Sequence, residues 1–399
     1  MKVAVVGGGL AGLAAALDLV DAGADVTVYE ARPTLGGAVQ TLPARDGDPE
    51  PPPDNGQHIA LGCFTEYLAF LDRVGEGGSY IRRRLALPVI AEDGKVATIK
   101  PSLPGLLRYS HLTLRDRARI PVTTTRLRSA QPQPKESFGG LLRRLGESDA
   151  SINRFWDVFI RPALNLPAHE ADAEAGLFAV RTALLGPRAN ADLILPARPL
   201  GAMHGDAAGR MLGDRVRLDE RVESLAGLDA DAIVVAVPPR ESARLLGEPE
   251  AALQDSPIVS VHLWFDRTLL QTPLAALLGS DAHWVFDRGA LTGHTPERGQ
   301  YLTVVSSGVP DLLEIRGNAL VDRIAGQLRE RLGEAELLWS RVSREPYATV
   351  ALRPGVERPG PETDDPRVVR AGTWTNTGWP ATMESAVRSG RVAAARVLA

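Results

Sequence analysis

Three glycines near the start of the chain have the spacing that lets a backbone approach a phosphate. Gly7, Gly9 and Gly12 follow an apolar run and precede an alanine-rich segment, a pattern that predicts strand, turn and helix. The first glycine permits a tight turn, the second leaves room for a pyrophosphate, and the third lets helix and strand pack closely. The N–H groups at the helix start, around Leu10 and Ala11, would face the phosphate charges. The pattern therefore predicts a dinucleotide site.

An acidic residue stands at the matching distance from this turn. Glu30 falls 18 residues after Gly12, at the end of a second predicted strand. A carboxylate at that point can accept hydrogen bonds from both ribose hydroxyls. It also disfavours a ribose with a 2′-phosphate, so the ligand would be NAD or FAD rather than NADP. The alternative for the whole pattern is a packing turn that holds no ligand.

Polar residues cluster around a further glycine between Asp54 and His58. Asn55, Gly56 and Gln57 fill the interval, and an apolar run follows. A glycine flanked by such groups suits a backbone that passes close to the face of a cofactor ring. The alternative is an ordinary Asx turn at the end of the preceding proline-rich loop.

The C-terminal part of the chain again predicts a strand, a glycine turn and a helix. The strand leads to Gly372 and Thr373, and Pro380, Ala381 and Thr382 open a helix of small residues. Proline and threonine are typical of a helix start. A helix that begins beside a bound ring stabilises negative charge on it. A purely structural terminal helix is the alternative.

Composition argues against several other kinds of site. The chain has 399 residues, 44% of them hydrophobic, which is enough for a large core divided between two domains. Cys63 is the only cysteine and the seven histidines lack paired ligand spacing, so we expect no disulfide and no metal site. No secretion signal and no apolar run of about 20 residues is present, so we expect a cytoplasmic protein.

Positive charge is concentrated in residues 82–144. This segment holds fourteen Lys and Arg against four acids, a balance of +10, while the whole chain carries −4. Leucines alternate with the arginines, and an amphipathic basic surface of this kind can lie on anionic lipid headgroups. A solvated face of a second domain is the equal alternative. Nucleic acid is not an expected partner, because no binding motif is present and the whole chain is acidic.

Several stretches of the chain, taken in order, resemble those of one enzyme family. They are residues 54–67, 155–156, 162–165, 195–196, 261–266, 284–287 and 377–391. In addition, residues 31–37 resemble the paired-glycine half of the FAD fingerprint in the phytoene desaturase and amine oxidase superfamily. Together these motifs closely resemble the squalene-associated FAD-dependent desaturases, a family that includes the bacterial hydroxysqualene dehydroxylases. The resemblance covers nearly the whole chain and favours FAD over NAD.

The resemblance implies an α/β fold with a Rossmann-like FAD-binding domain and an α+β substrate domain, as in amine oxidases and phytoene desaturases. We assign residues 1–75, 191–240 and 346–399 to the FAD-binding domain. Residues 76–190 and 241–345 form the substrate domain. The residues expected to bind FAD are Gly7, Gly9, Leu10, Ala11, Gly12, Glu30, Ala31, Arg32, Gly36, Gly37, Ala38, Asn55, Gly56, Gln57, Val222, Gly372, Thr373, Pro380, Ala381 and Thr382.

The resemblance also implies a long polyprenyl substrate and replacement of the hydroxyl of hydroxysqualene by hydrogen. A proton donor would release water from the allylic alcohol, and hydride from the flavin would quench the cation in a dry tunnel. We assign the proton donor to His58 or Asp54. The expected substrate contacts are Trp156, Trp264, Trp284 and Trp379. His262 is interpreted as a core histidine and Glu384 as a charge at a helix start.

Two positions depart from the family pattern. Ala38 stands where the superfamily usually has an arginine that contacts phosphate, and Thr373 stands where it usually has an aspartate. Arg32 could partly replace the missing charge. Two alternatives to the dehydroxylase remain: a true polyprenyl desaturase, and a flavin-poor lipid-binding scaffold protein.

Overall fold

Fifteen strands, described in a computed structural model of residues 1–399, form the framework of the protein. They are β1 (Lys2–Val6), β2 (Asp25–Tyr29), β3 (Ala60–Leu61), β4 (Tyr80–Arg83), β5 (Leu87–Ile90), β6 (Val96–Ile99), β7 (Leu193–Pro196), β8 (Val216–Arg217), β9 (Ala232–Val235), β10 (Asp255–Phe265), β11 (Leu274–Leu277), β12 (Trp284–Asp287), β13 (Gln300–Ser307), β14 (Leu337–Val350) and β15 (Val368–Arg370).

Fourteen α-helices cover these strands. They are α1 (Leu10–Asp21), α2 (Thr65–Arg73), α3 (Leu103–Leu107), α4 (Leu114–Leu127), α5 (Phe138–Arg144), α6 (Asp149–Ser151), α7 (Asp157–Leu164), α8 (Ala173–Ala179), α9 (Ala207–Leu212), α10 (Pro239–Leu246), α11 (Arg288–Thr292), α12 (Pro310–Glu314), α13 (Asn318–Leu332) and α14 (Met383–Leu398). Short π-helical turns extend several of them, at Ile152–Trp156, Val180–Leu184 and Ala202–Asp206.

The first sheet is parallel and has the strand order β15-β9-β1-β2-β8. Residues of β1 and β9 are apolar and buried along nearly their whole length, as in strands covered on both faces. Helices α1 and α14 pack against each other beside this sheet. Their contact is so close that a Cβ at Gly390 would collide with the carbonyl oxygen of Ala11. The first and last helices are therefore parts of one layer.

The second sheet has seven strands in the order β14-β10-β13-β12-β11-β5-β6. Its pairs are antiparallel except for β11 and β5. Alternation along β12 divides its side chains between two cores, because successive residues point to opposite faces. Trp284 and Phe286 join the core formed with α5 to α8, whereas Val285 joins the core formed with α13. A third, small sheet, β3-β7-β4, completes the strand framework.

The predicted α/β fold class is confirmed, since a parallel sheet with helices adjoins a mostly antiparallel sheet with its own helical cover. The strands of the parallel sheet come from three separated stretches of the chain. The predicted limit between residues 345 and 346 lies within β14, which runs on to Val350. The domain limits stay a prediction. None of the helices has the length and apolar character needed to cross a membrane.

Candidate active site

A cavity of about 880 Å³ is bordered by residues of both large sheets. This volume lies within the roughly 300–1,000 Å³ typical of ligand and cofactor sites. Part of its wall consists of the glycine turns around β1 and β2, and another part consists of apolar side chains from the second domain. A single space therefore joins the predicted dinucleotide site to an apolar compartment.

The three glycines of the first turn have different roles. Gly7 has a φ of 108°, and a Cβ on it would collide with the carbonyl group of Ala236. A Cβ on Gly12 would collide with the carbonyl oxygen of Gly7, and Gly12 does not border the cavity. Gly9 does border it, and the nearest atom to a Cβ there would be Gly37 Cα, at 3.7 Å. Gly7 and Gly12 are thus required by packing, whereas Gly9 keeps space open for a ligand.

The start of α1 is free to bind an anion. Gly9 is its N-cap, with no side-chain cap and no acidic residue in the first turn. Leu10 and Ala11 border the cavity. The first N–H groups of a helix have no partner within the helix, and the helix dipole adds positive charge there. These groups suit a pyrophosphate.

Glu30 is held at the cavity wall by two backbone groups. Its Oε2 accepts a hydrogen bond from Gly8 N at 2.7 Å, and its Oε1 accepts one from Arg32 N at 2.9 Å. The side chain is buried and borders the cavity together with Ala31 and Arg32. Carboxylate oxygens can accept more than one hydrogen bond each, so Glu30 can also accept from ribose hydroxyls.

The second glycine turn packs directly on the first. Gly36 N donates to Gly8 O at 2.8 Å, and a Cβ on Gly37 would lie 2.9 Å from Gly9 Cα. Both glycines have positive φ, 111° and 61°. Ala38 follows at the cavity wall, where the family pattern has an arginine. Arg32 also borders the cavity and forms no ion pair, so its charge is available there.

The closing segment contributes a second helix start. Gly372, Thr373, Pro380, Ala381 and Thr382 all border the cavity. Thr382 is the N-cap of α14, and its Oγ1 accepts a hydrogen bond from Ser385 N at 3.4 Å. The N-terminus of α14 therefore adjoins the cavity and stabilises negative charge there.

The segment around Gly56 forms another part of the wall. Asn55, Gly56, Gln57 and His58 border the cavity. The Asn55 side chain donates to Ala38 O at 2.9 Å, which joins this segment to the second glycine turn. A Cβ on Gly56 would lie 2.8 Å from Ser260 Oγ, so the backbone is pressed against β10. Val222 borders the cavity as well.

His58 is the predicted proton donor that the structure places at the cavity. Its ring forms no hydrogen bond within the protein. Burial in the wall, with a smaller effect from His204, lowers its pKa to about 4. The ring is therefore neutral at pH 7 and carries one N–H that can donate a hydrogen bond to a ligand oxygen.

Asp54 needs correction as a candidate proton donor, because its side chain lies behind the wall. It is 1% exposed and does not border the cavity. Its Oδ1 accepts hydrogen bonds from Thr41 Oγ1 at 2.7 Å and Leu200 N at 2.9 Å. Burial raises its pKa, although the charge of Arg288 opposes that shift. Asp54 supports the neighbouring segment and has no access to a substrate.

Two residues of the site region were not predicted from the sequence. Arg288, 1% exposed, donates through Nη1 to Gln57 Oε1 at 2.8 Å, and no local pattern marks an arginine after β12 as buried. Glu345 borders the cavity beside Asn55. Burial raises the pKa of Glu345, while the Asn55 side chain and the charge of Arg32 oppose the shift. A lone acid within a strand gives no signal that topology will bring it to the site.

The four predicted tryptophans separate into two pairs. Trp284 and Trp379 border the cavity. Trp156 is instead 1% exposed inside the core, edge-on to Phe155 at 5.2 Å, and needs correction as a substrate contact. Trp264 also needs correction: it lies on β10, and its Nε1 donates to Arg298 O at 2.8 Å, off the cavity.

The apolar wall comes from residues 85–184 and from strands of the second sheet. Phe178 packs edge-on against Trp379, with 5.0 Å between the ring centroids. The neighbouring wall residues are aliphatic or aromatic: Leu85, Leu87, Val158, Phe159, Ile160, Leu184, Trp284, Phe286 and Val305. Such a surface offers no hydrogen bonds and suits a hydrocarbon chain.

The comparisons with known proteins agree with this geometry. The family model described as flavin containing amine oxidoreductase matches residues 10–398. The hydroxysqualene dehydroxylase of Rhodopseudomonas palustris is 30% identical, over 100% of this chain and 98% of its own. That of Sinorhizobium fredii is 29% identical, over 98% and 97%. A zeta-carotene desaturase of Synechocystis is 24% identical, over 100% and 97%.

Among solved structures, a putrescine oxidase double mutant matches with a TM-score of 0.77 and 19% identity. The match covers 100% of this chain and 98% of that one. At this identity the likeness shows the fold alone. The residues that would hold a flavin dinucleotide are those whose geometry fits it: the two glycine turns, Glu30, and the N-termini of α1 and α14.

Proposed function

This chain belongs to the family of flavin-containing amine oxidoreductases, and from that premise we propose that it reduces hydroxysqualene to squalene. It is a FAD-dependent oxidoreductase. The observation that carries the proposal is the apolar compartment that opens directly onto the dinucleotide site. A C30 hydrocarbon with one hydroxyl group matches such a wall, whereas a small amine would leave most of it uncovered.

The side chains of the cavity have separable tasks in this reaction. Bound FAD, when reduced, supplies the hydride. Leu87, Phe159 and Phe286 exclude water, so that an allylic cation would not be recaptured as alcohol. Trp284 presents an aromatic ring at the same wall, and ring faces stabilise nearby positive charge, whereas the ring of Trp379 already lies under the Arg388 guanidinium, 4.7 Å from its centroid.

His58 is the group we assign to the leaving hydroxyl. Its ring borders the cavity and has no partner within the protein, so its N–H is free to donate to that oxygen. With a pKa lowered to about 4, the ring gives up a proton readily once it has taken one. Protonation of the hydroxyl by His58 would thus be strongest near pH 4 and below, where the ring carries the extra proton.

A polyprenyl desaturase is the second candidate, favoured by the full-length likeness to a zeta-carotene desaturase. It would use the same apolar wall and run the flavin in the opposite direction, from oxidised to reduced. The flavin-poor scaffold is set aside, because the chain is a FAD-dependent enzyme.

The test follows the flavin colour in the absence of oxygen. Chemically reduced holoprotein is mixed with hydroxysqualene, and the flavin absorbance and extracted lipids are recorded. Reoxidation together with squalene formation is the result expected of the dehydroxylase. Bleaching of the oxidised enzyme by squalene or a carotene precursor, without reaction of the reduced enzyme, would instead establish the desaturase.

A further inference from the structure

We propose that helices α3 and α4 dock the protein on an anionic membrane surface. The docking face is the exposed side of these helices and of strand β6 before them, residues 96–128. Exposure and charge support this docking, which goes beyond the proposed reaction and would hold for either candidate function.

Exposed apolar side chains are concentrated on the docking face. Of the twelve large hydrophobic residues exposed in the whole chain, five lie within residues 96–122. They are Val96 (58% exposed), Leu103 (59%), Leu107 (45%), Leu114 (74%) and Val122 (49%). Isolated exposed leucines are ordinary, but a group on two neighbouring helices marks a surface that another phase or molecule covers.

Helix α4 presents apolar groups on two opposite sides. Ile120 and Leu127 are buried in the core, which accounts for one side. Leu114, Ala118 and Val122 follow one another at intervals of four residues and are all exposed. Residues at this spacing form one stripe along a helix, so the outer side carries an apolar stripe that is exposed to solvent.

The basic residues of this region are largely free of acidic partners. Of the fourteen Lys and Arg in residues 82–144, only four form ion pairs, namely Arg82, Lys95, Arg143 and Arg144. In the rest of the chain most arginines are paired. Arg108, Arg115, Arg126 and Arg128 of the docking face are exposed and unpaired.

Unpaired arginines beside exposed leucines favour a lipid surface over other partners. Anionic headgroups complement the arginines, and the acyl boundary takes up the leucines, which nucleic acid could not do. The face also adjoins the cavity wall: Arg128 Nη1 donates to Leu185 O at 3.4 Å, next to Leu184, which borders the cavity. When this face lies on a membrane, a hydrocarbon substrate dissolved in the lipid would be close to the apolar compartment.

Vesicle flotation of the holoprotein tests the proposal. Vesicles of phosphatidylcholine alone are compared with vesicles in which part of it is replaced by phosphatidylglycerol. The variants are Leu103→Ser with Leu114→Ser, and Arg108→Gln with Arg115→Gln. Matched controls change exposed residues elsewhere: Leu218→Ser with Leu338→Ser, and Arg215→Gln with Arg217→Gln.

The expected result is binding to the anionic vesicles only, which weakens as salt rises. Loss of two arginines should reduce it by about 25-fold, at roughly fivefold each. Loss of two leucines should reduce it by about tenfold or more. The control variants should bind as the parent protein does.

Equal binding to neutral and anionic vesicles, or no effect of either docking-face variant, would overturn the proposal. So would retention of the protein by RNA or by an acidic protein without any affinity for vesicles. Turnover of hydroxysqualene dispersed in detergent is measured on the same variants. Activity there with no vesicle binding rejects the docking face alone, whereas vesicle binding without turnover rejects the proposed reaction alone.

Discussion

Arg288 Nη2 lies 3.0 Å from Asp54 Oδ2, and both side chains are 1% exposed. The arginine belongs to α11 of the second domain, whereas the carboxylate precedes the segment that lines the cavity with Asn55 to His58. Since Arg288 Nη1 also binds Gln57 Oε1, one guanidinium ties both ends of this segment to the second domain. The pair therefore joins the segment that lines the cavity to α11.

Replacement of this arginine should destabilise the protein strongly. Arg288→Met leaves the Asp54 carboxylate buried without its counter-charge, which costs about 3–5 kcal/mol in comparable pairs. The double variant Arg288→Met with Asp54→Asn removes both charges and should recover most of that loss. Urea denaturation of the three proteins measures the difference. Equal stability of Arg288→Met and the parent would contradict a stabilising ion pair between Arg288 and Asp54.

Gly9→Ala should separate folding from cofactor binding. The nearest protein atom to the new Cβ is 3.7 Å away, so the fold should tolerate it, but the methyl group would occupy the phosphate approach. We expect an unchanged melting temperature of the apoprotein and a Kd for FAD at least about tenfold higher, the loss of roughly one hydrogen bond to a charged group. Gly78→Ala, with open space around it, is the matched control. Equal FAD affinity of both variants would contradict the role of Gly9.

Arg32 should compensate for the alanine at position 38. Arg32→Ala removes an unpaired charge from the cavity wall, and a lost charged hydrogen bond costs about 1.5–3 kcal/mol. FAD should bind about 10- to 100-fold more weakly, as measured by titration of the apoprotein with flavin. Arg45→Ala, exposed and off the cavity, should leave the affinity unchanged. An unchanged affinity of Arg32→Ala for FAD would show that other groups bind the phosphate charge.

Two tryptophans, one at the cavity and one away from it, provide a matched test of the apolar wall. Trp284→Phe changes the cavity surface, so KM for the hydrocarbon substrate should rise severalfold, the effect of about 1 kcal/mol of lost contact. Trp264→Phe removes an indole whose N–H binds Arg298 O and should leave KM unchanged. Steady-state kinetics with detergent-dispersed substrate gives both values. A larger rise in KM for Trp264→Phe than for Trp284→Phe would contradict this placement of the substrate.

His262 should make the protein less stable in acid. Burial, assisted by the charges of Arg288 and Arg341, lowers its pKa from 6.5 to about 3. The unfolded chain therefore binds a proton below pH 6.5 that the folded chain refuses. This contribution to stability is complete above pH 6.5 and falls by about 1.4 kcal/mol per pH unit as the pH drops toward 3.

The measurement is the free energy of unfolding as a function of pH for the parent and for His262→Gln. The raised pKa values of Asp54, Glu345 and Glu384 act in the opposite direction, so the difference between the two proteins is the informative quantity. The free energy of unfolding of the variant should depend less steeply on pH, by the equivalent of one proton. Parallel curves would show that His262 has the same pKa in the folded and the unfolded chain.

Local patterns were sufficient for the cofactor half of the site. Gly7, Gly9 and Glu30 lie within one strand–turn–helix–strand unit, so their spacing along the chain determines their spacing in space. The apolar half of the site depends on contacts between residues far apart in the sequence. Arg288 meets Gln57 only because the second sheet brings α11 beside the first domain, and that sheet order cannot be read from spacing.

The errors have a similar origin. Asp54 and His58 are neighbours in sequence, but the turn sends one side chain into the interior and the other to the cavity. Trp156 and Trp284 belong to equally apolar stretches, and only the packing of α7 against the second sheet decides which of them meets the cavity. A motif identifies a segment, whereas the facing of each side chain depends on tertiary contacts.

The close packing of α14 on α1 has a consequence for biosynthesis. The phosphate-binding turn opens α1, and this helix packs on residues around Gly390, which lie far later in the sequence. A growing chain therefore lacks part of the packing around the nucleotide turn until α14 has been synthesised. The nucleotide site therefore gains its full packing only when α14 has joined α1, so this part of the fold cannot be completed by the N-terminal segment alone.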